Sequence, residues 1–332
     1  MMTPKTFKTT KRRSINLSNA QVTKQYLLDN CAIPLVIETQ QERIDLISWS
    51  LNHRDLIDHH LQQEGAILFR GFEIGNVEKF EKFMTSVFGH LLDYSYGSTP
   101  RSKLDGKVYT STEYPSNQSI SLHNEMSYTS NYPLKIAFYC LKAAEQGGAT
   151  PIANSRKIFN KINPKIRDKF QNKGVMYVRN YSDKLDLPWQ KVFQTDDKAK
   201  VEAYCKQAGI DFQWRGNNLR TCEVCQAVVK HPHTQEMVWF NQAHLFHVSS
   251  LQPEVKDNLL AVLKEEELPR NTYYGDGKPI EDSVLAEIRH LYEQEAVCFP
   301  WQSGDLLLLD NLLTAHGRQP FSGSRQVVVA MG

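Results

Sequence analysis

Two positions, His123 and Glu125, in the stretch Ser121-Leu122-His123-Asn124-Glu125-Met126-Ser127-Tyr128, constrain this chain more than any others. On a β-strand successive side chains alternate faces, so the imidazole and the carboxylate would share a face and Asn124 would point away. Side by side on a rigid surface they are two of the three ligands of a 2-His-1-carboxylate facial triad. That set holds non-haem Fe(II) and leaves the opposite coordination positions open. H-x-E is common by chance, so the weight falls on a third ligand, and His316 in Ala315-His316-Gly317-Arg318 is the candidate. Any fold that uses it must return the C-terminal end of the chain to the neighbourhood of His123.

The distribution of periodic segments permits such a return. Residues 1–30 show no sustained periodicity and read as a disordered or peripheral leader. The apolar residues between Gln41 and Gln63 suggest one or two amphipathic helices, stopped by Gly65. Ala66–Phe69 reads as a buried strand, and Asn76 as the N-cap of a helix that ends at Gly89. Strand-favouring residues follow (Tyr94, Tyr96, Val108 to Thr110), then the H-x-E stretch and a strand at Lys135–Leu141. Gln146 to Ile152 is a tight turn into a short strand. Asn154 then caps a helix that restarts at Pro164. Helical stretches are expected at about 155–172, 197–208 and 252–296, with short strands in between. Leu306–Asp310 and Gln326–Ala330 close the chain as strands. Strands early, strands at the end and helices between them suit a double-stranded β-helix, or jelly roll, mainly β with inserted helices. Residues 31–332 would then form a single domain.

Composition excludes several function classes. A net charge of +2 is too balanced for a nucleic-acid binder. No apolar run reaches the roughly 18–20 residues that span a bilayer. The basic start, MMTPKTFKTTKRRS, is followed by no apolar core of the kind a secretory signal needs. Six cysteines in a chain of 332 residues do not make a disulfide scaffold, so a reducing, cytoplasmic setting is the default.

Arg325, at the start of the last strand, could anchor the far end of a dicarboxylate that chelates the metal through its near end. Arginine suits the task because its planar fork grips a carboxylate bidentately and stays charged. Outside that context it is an ordinary surface arginine after the Ser322-Gly323-Ser324 turn. Thr150, after the Gly147-Gly148 turn, could add a hydroxyl donor to the same carboxylate, and Arg318 is a second cation near the site. Cys222-x2-Cys225 followed by His231-Pro232-His233 resembles a zinc constellation. Structural zinc sites space the histidine pair by three to five residues, however, so reduced thiols on a strand are the preferred reading. His244 and His247 would share a helical face and read as structural or pocket-lining residues.

Taken in order, Leu122-His123-Asn124-Glu125-Met126-Ser127-Tyr128, Gly147-Gly148-Ala149-Thr150-Pro151-Ile152, His316-Gly317-Arg318 and Arg325 resemble the taurine dioxygenase (TauD/TfdA) superfamily. These are Fe(II)- and 2-oxoglutarate-dependent oxygenases with a clavaminate-synthase-like jelly roll. HNEMSY and AHGRQPF are most similar to the branch of amino-acid hydroxylases in nonribosomal-peptide and other natural-product pathways. The resemblance implies that His123, Glu125 and His316 bind iron and that Arg325 and Thr150 hold the distal carboxylate of 2-oxoglutarate. Glutamate stands where the wider superfamily more often has aspartate. Its presence argues against halogenation, which in related enzymes uses a small residue there. The implied reaction consumes O2 and 2-oxoglutarate, releases succinate and CO2, and hydroxylates an aliphatic C–H of an amino acid or amino-acid-derived substrate, free or carrier-tethered. Desaturation, cyclisation or C–C cleavage with the same cofactors is the enzymatic alternative, and a catalytically retired jelly-roll binding module the non-enzymatic one. Arg101, Thr112, Glu113 and Arg318 are the candidate substrate contacts.

Overall fold

The computed structural model describes residues 22–28, 31–39, 44–93, 96–98, 101–111, 114–183 and 185–332. The strands, in chain order, are β1 (Val22–Leu28), β2 (Cys31–Thr39), β3 (Ala66–Arg70), β4 (Lys103–Asp105), β5 (Val108–Thr110), β6 (Ile120–His123) and β7 (Lys135–Lys142). Then come β8 (Gln146–Gly147), β9 (Ile152–Asn154), β10 (Val175–Tyr181), β11 (Asp211–Arg215), β12 (Asn218–Cys225), β13 (Val228–Lys230) and β14 (Met237–Trp239). The last are β15 (Arg270–Tyr274), β16 (Leu306–Asp310), β17 (Thr314–Arg318), β18 (Phe321–Ser322) and β19 (Gln326–Met331). An eight-stranded major sheet runs β1-β2-β3-β16-β7-β19-β5-β4, and a three-stranded minor sheet runs β6-β17-β9. The two form the mainly β jelly roll that the strand distribution implies.

The core explains why β16 is four leucines in a row. Leu307 and Leu309 join Phe138, Val327 and Val329 against Leu122, Ile152 and Ala315 of the minor sheet. Leu306 and Leu308 join Tyr139, Val328 and Ala330 on the opposite face, covered by Leu61, Phe80 and Phe83 of the helices Arg54–Glu64 and Val77–Phe88. A strand buried on both faces loses the polar alternation of a half-exposed one. Each fully buried leucine stabilises the fold by roughly 1.5–3 kcal/mol, which makes this sheet a stiff support for what hangs from it. The helix ends follow the local chemistry. The Asn76 side chain accepts from the Lys79 N–H, and the Asn154 side chain accepts from the N–H groups of Arg156 and Lys157.

The insertion between β9 and β16 carries more strand than the expected helices with short strands between them: β11-β12-β10-β15 form a four-stranded sheet, and β15 lies between the two helices of the stretch 252–296. Strong helical patterns at Pro253–Val262 and Asp282–Glu295 flank these five residues, so their pairing with β10 is visible only in the assembled sheet. The helical stretch expected over 155–172 does restart at Pro164, as Ser155–Lys161 and Pro164–Lys173. Residues 22–28, read as part of the leader, form the outermost strand of the major sheet, held by antiparallel pairing with β2. Residues 1–21 lie outside the described residues.

Candidate metal and co-substrate site

His123 is the last residue of β6, and His316 lies in the middle of β17, directly opposite it in the antiparallel register. The two rings stand 4.5 Å apart, centroid to centroid. Glu125 is not on the strand. The chain leaves β6 at His123 and turns, with Met126 at a φ of 54°. Strand alternation therefore does not place the carboxylate; a buried amide clamp does. The Glu125 N–H donates to Asn311 Oδ1 (2.7 Å), and Asn311 Nδ2 donates to the carbonyls of Glu125 (2.9 Å) and Pro133 (2.8 Å). Asn124 Nδ2 donates in turn to the Asn311 carbonyl and to Ser155 Oγ, and Gln242 Nε2 donates to the Asn124 carbonyl. Both asparagines are fully buried. Neither position shows a sequence signal beyond proximity to a candidate ligand.

The result is a compact donor set. One nitrogen or oxygen from each of His123, Glu125 and His316 lies within 4.8 Å of the others, and no other group of three or more His, Cys, Asp or Glu residues does so among the described residues. His123 Nδ1 donates to the Ser121 carbonyl (2.9 Å), which leaves Nε2 with its lone pair free. Burial, then the neighbouring His316, lowers the His123 pKa to about 4, so the ring is neutral and able to ligate near pH 7. Burial pushes the Glu125 carboxyl up, but Arg101 and then the neighbouring His316 ring, whose Nε2 is 3.6 Å from Oε2, outweigh it. The carboxyl is held well below the usual carboxylate range. Arg101 donates to Glu125 Oε2 at 2.7 Å, and both side chains are nearly fully buried. Arg101, expected to contact substrate, is thus engaged with the carboxylate of the triad.

Arg325, Thr150, His123 and His316 line one cavity. Arg325 donates through Nε to the Gly148 carbonyl (3.1 Å), and its guanidinium lies 5.6 Å from the Phe321 ring. Among the described residues no carboxylate lies within ion-pair distance of it. Burial lowers its pKa to about 10, which still leaves it charged. A half-buried cation without a counter-ion, facing a donor set across a cavity, fits an anionic ligand that bridges the two. Thr150 Oγ accepts from Trp301 Nε1–H at 3.0 Å, which leaves the hydroxyl proton to be donated. Gly147 and Gly148 both have a φ of 71°, and a Cβ at Gly148 would press on Arg325 Cδ at 3.1 Å. The turn that presents Thr150 therefore also makes room for Arg325.

Other candidates fall elsewhere. The Arg318 guanidinium donates to the carbonyls of Tyr114, Pro115 and Gln118, so it secures the loop before β6 while lining the cavity. Its expected role toward co-substrate or substrate would have to be filled from that position. Thr112 and Glu113 lie outside the described residues. Cys222 and Cys225, three apart on β12, point to opposite faces, and His231 is hydrogen-bonded to Asp310 at 3.0 Å. His244 Nε2 donates to the Leu122 carbonyl and its ring stacks on Tyr292, which braces the strand that carries His123.

Residues 32–331 match the family described as taurine catabolism dioxygenase TauD, TfdA family. The dapdiamide synthesis protein DdaC of Enterobacter agglomerans is 42% identical over 276 residues, covering 83% of this chain and 84% of that protein. A clavaminate synthase-like protein of Arabidopsis thaliana is 27% identical over 334 residues, covering 95% and 98%. Among solved structures, PvcB of Pseudomonas aeruginosa shares the fold with a TM-score of 0.57 at 15% identity, over 97% of this chain and 94% of that one. A second structure describes PvcB as an Fe, alpha-ketoglutarate dependent oxygenase from an isonitrile synthetic pathway.

Proposed function

The chain belongs to the TauD/TfdA family and is an Fe(II)- and 2-oxoglutarate-dependent dioxygenase; we propose that it hydroxylates an aliphatic C–H of an amino acid or amino-acid-derived compound in a natural-product pathway. In this reading His123, Glu125 and His316 hold the iron, and Arg325 with Thr150 holds the distal carboxylate of 2-oxoglutarate. The observation that carries the assignment is the pairing of a two-imidazole, one-carboxylate donor set with a cation that has no acid beside it among the described residues, across one cavity. The similarity to DdaC, a protein of dapdiamide synthesis, supports the pathway class.

Bound there, iron and 2-oxoglutarate would supply the oxidising power, with O2 as co-substrate and succinate and CO2 as products. The chain's own share is arrangement. His123 donates its Nδ1 proton to the Ser121 carbonyl, which fixes its tautomer, and the Asn124–Asn311 clamp fixes the turn that carries Glu125. Phe138, whose ring centroid is 4.9 Å from that of His316, and Ile120 give the cavity an apolar wall that limits water, and Trp301 holds the Thr150 hydroxyl. The amino-acid substrate and the hydroxylation outcome are tested by anaerobic Fe(II) and 2-oxoglutarate titration, followed by product analysis. A visible charge-transfer band that is lost in His123→Ala and weakened in Arg325→Ala, and that amino acids perturb, is expected. A metal-loaded, folded protein with no such band would refute the residue assignments. A band that no amino acid perturbs, with product bearing no added oxygen, would refute the substrate and reaction.

A further inference from the structure

A buried guanidinium stands on the carboxylate of the donor set. Arg101 Nη2 donates to Glu125 Oε2 at 2.7 Å, and the two side chains are 3% and 5% exposed. The same oxygen lies 3.6 Å from His316 Nε2, so the guanidinium holds the carboxylate at an atom turned toward the histidines. Arg101 reaches it from the segment before β4, with Nη1 3.9 Å from Met331 Sδ at the end of β19. It also lines the cavity that His123, His316, Thr150 and Arg325 line. Among the described residues of that wall three are arginines, Arg101, Arg318 and Arg325, and none is an acid.

Groups that hydrogen-bond a metal ligand orient it and move metal affinity by about ten- to hundredfold. A neutral donor would orient Glu125 as well as this one does. What a guanidinium adds is a permanent charge, since arginine keeps its proton in proteins. Imidazoles ligate in the neutral form, so two of them with one carboxylate make a set of charge −1. With Arg101 in contact the set carries no net charge. A divalent cation entering it brings the local charge to +2 rather than +1. In a buried site the effective dielectric is far below that of water, and one unit of charge is felt strongly. It opposes the incoming metal and favours an incoming dianion.

We propose that Arg101 is a positioning residue that sets the charge of the metal site. It holds Glu125 in place and cancels its charge, so that the metal is bound less tightly, and the dianionic co-substrate more tightly, than the bare triad would bind them. This rests on the iron and 2-oxoglutarate reading above, and it gives Arg101 a task other than substrate contact. 2-Oxoglutarate must bring two carboxylates into a cavity whose metal already carries one. Arg325 would meet the far carboxylate, and Arg101 offsets the repulsion at the metal end of the same cavity, beside Glu125.

The test measures two affinities in the full-length protein: Mn(II) by equilibrium dialysis, and 2-oxoglutarate by calorimetric titration of the Mn(II)-loaded chain. The native protein is compared with Arg101→Met, with Arg101→Gln, which keeps a donor without the charge, and with Arg101→Lys, which keeps the charge without the fork. Arg101→Met and Arg101→Gln should bind Mn(II) about tenfold more tightly and 2-oxoglutarate about tenfold more weakly. Arg101→Lys should stay within about threefold of native for both. The opposite signs are the signature, because loss of a side chain that only props the fold weakens both ligands or neither. Arg101→Gln and Arg101→Lys carry the comparison where Arg101→Met folds poorly. Affinities that move in the same direction or not at all, or Arg101→Gln behaving as native, overturn the proposal. A native chain that binds both ligands while the variants show no crossing sinks this inference alone. A native chain that binds no Mn(II), or no 2-oxoglutarate once loaded, sinks the assignment of the iron site and this inference with it.

Discussion

Arg101→Met should weaken the metal-free protein and strengthen its response to metal. The Arg101 and Glu125 side chains are 3% and 5% exposed and meet at 2.7 Å. Removing one partner of a buried ion pair leaves the other charge uncompensated, at about 3–5 kcal/mol. For a chain of this size that corresponds to a fall in Tm of about 4–7 °C. A divalent cation in the triad supplies to Glu125 the positive charge that the guanidinium supplied. In the native protein a cation at the triad would meet a carboxylate that Arg101 already holds through Oε2; in the variant it would not. Thermal melts with and without Mn(II), a stand-in that avoids iron oxidation, should therefore show a larger metal-induced rise in Arg101→Met than in the native chain. Arg101→Lys, which keeps the charge but not the fork, should fall between them. An unchanged metal-free Tm would show that the pair is not the counter-charge of Glu125. The same metal increment in both proteins would refute the competition for that carboxylate.

Arg325→Met should raise the KM for 2-oxoglutarate about ten- to hundredfold, read from steady-state succinate formation, while metal affinity of the triad stays close to native. Gly317→Ala places a Cβ 2.5 Å from the Ile120 carbonyl, so β17 must move off β6; weaker Mn(II) binding by equilibrium dialysis is expected, because His316 sits one residue before. Burial, partly offset by hydrogen bonds from Ser130 and Thr129, holds the Glu223 carboxyl above its ordinary value of 4.5. The folded chain therefore keeps that proton after the unfolded chain has lost it, and the stability this provides is present below pH 4.5 and lost as pH rises through the folded value. Glu223→Gln should then unfold at higher urea than the native protein near pH 7 and lose that advantage near pH 4. Burial lowers the His244 pKa to about 4, so the unfolded chain binds a proton below about pH 6.5 that the folded one refuses. His244→Gln should flatten the loss of stability between those values, a slope of about 1.4 kcal/mol per pH unit for one group.

Much of the architecture was legible in the linear pattern because its causes are local. The caps at Asn76 and Asn154, the stop at Gly65 and the four-leucine strand each follow from a residue's own conformational or solvation preference. The candidate donor set was legible too, because few chemistries ask for H-x-E, a distant histidine before a last strand, and an arginine at that strand's start. β1 and β15 were not, since a short polar or tyrosine-rich segment becomes a strand only when a partner edge is there to pair with it.

The sequence by itself determined which side chains could meet a metal; tertiary structure decided how each is held and what it is free to do. Glu125 reaches the histidines through a turn pinned by Asn311, which lies 186 residues further along the chain. Arg101 faces Glu125, Arg318 holds a loop, and Arg325 has no acid beside it among the described residues. A guanidinium can pair with any carboxylate or carbonyl it meets, so its role is settled by which of these the fold brings within about 3 Å.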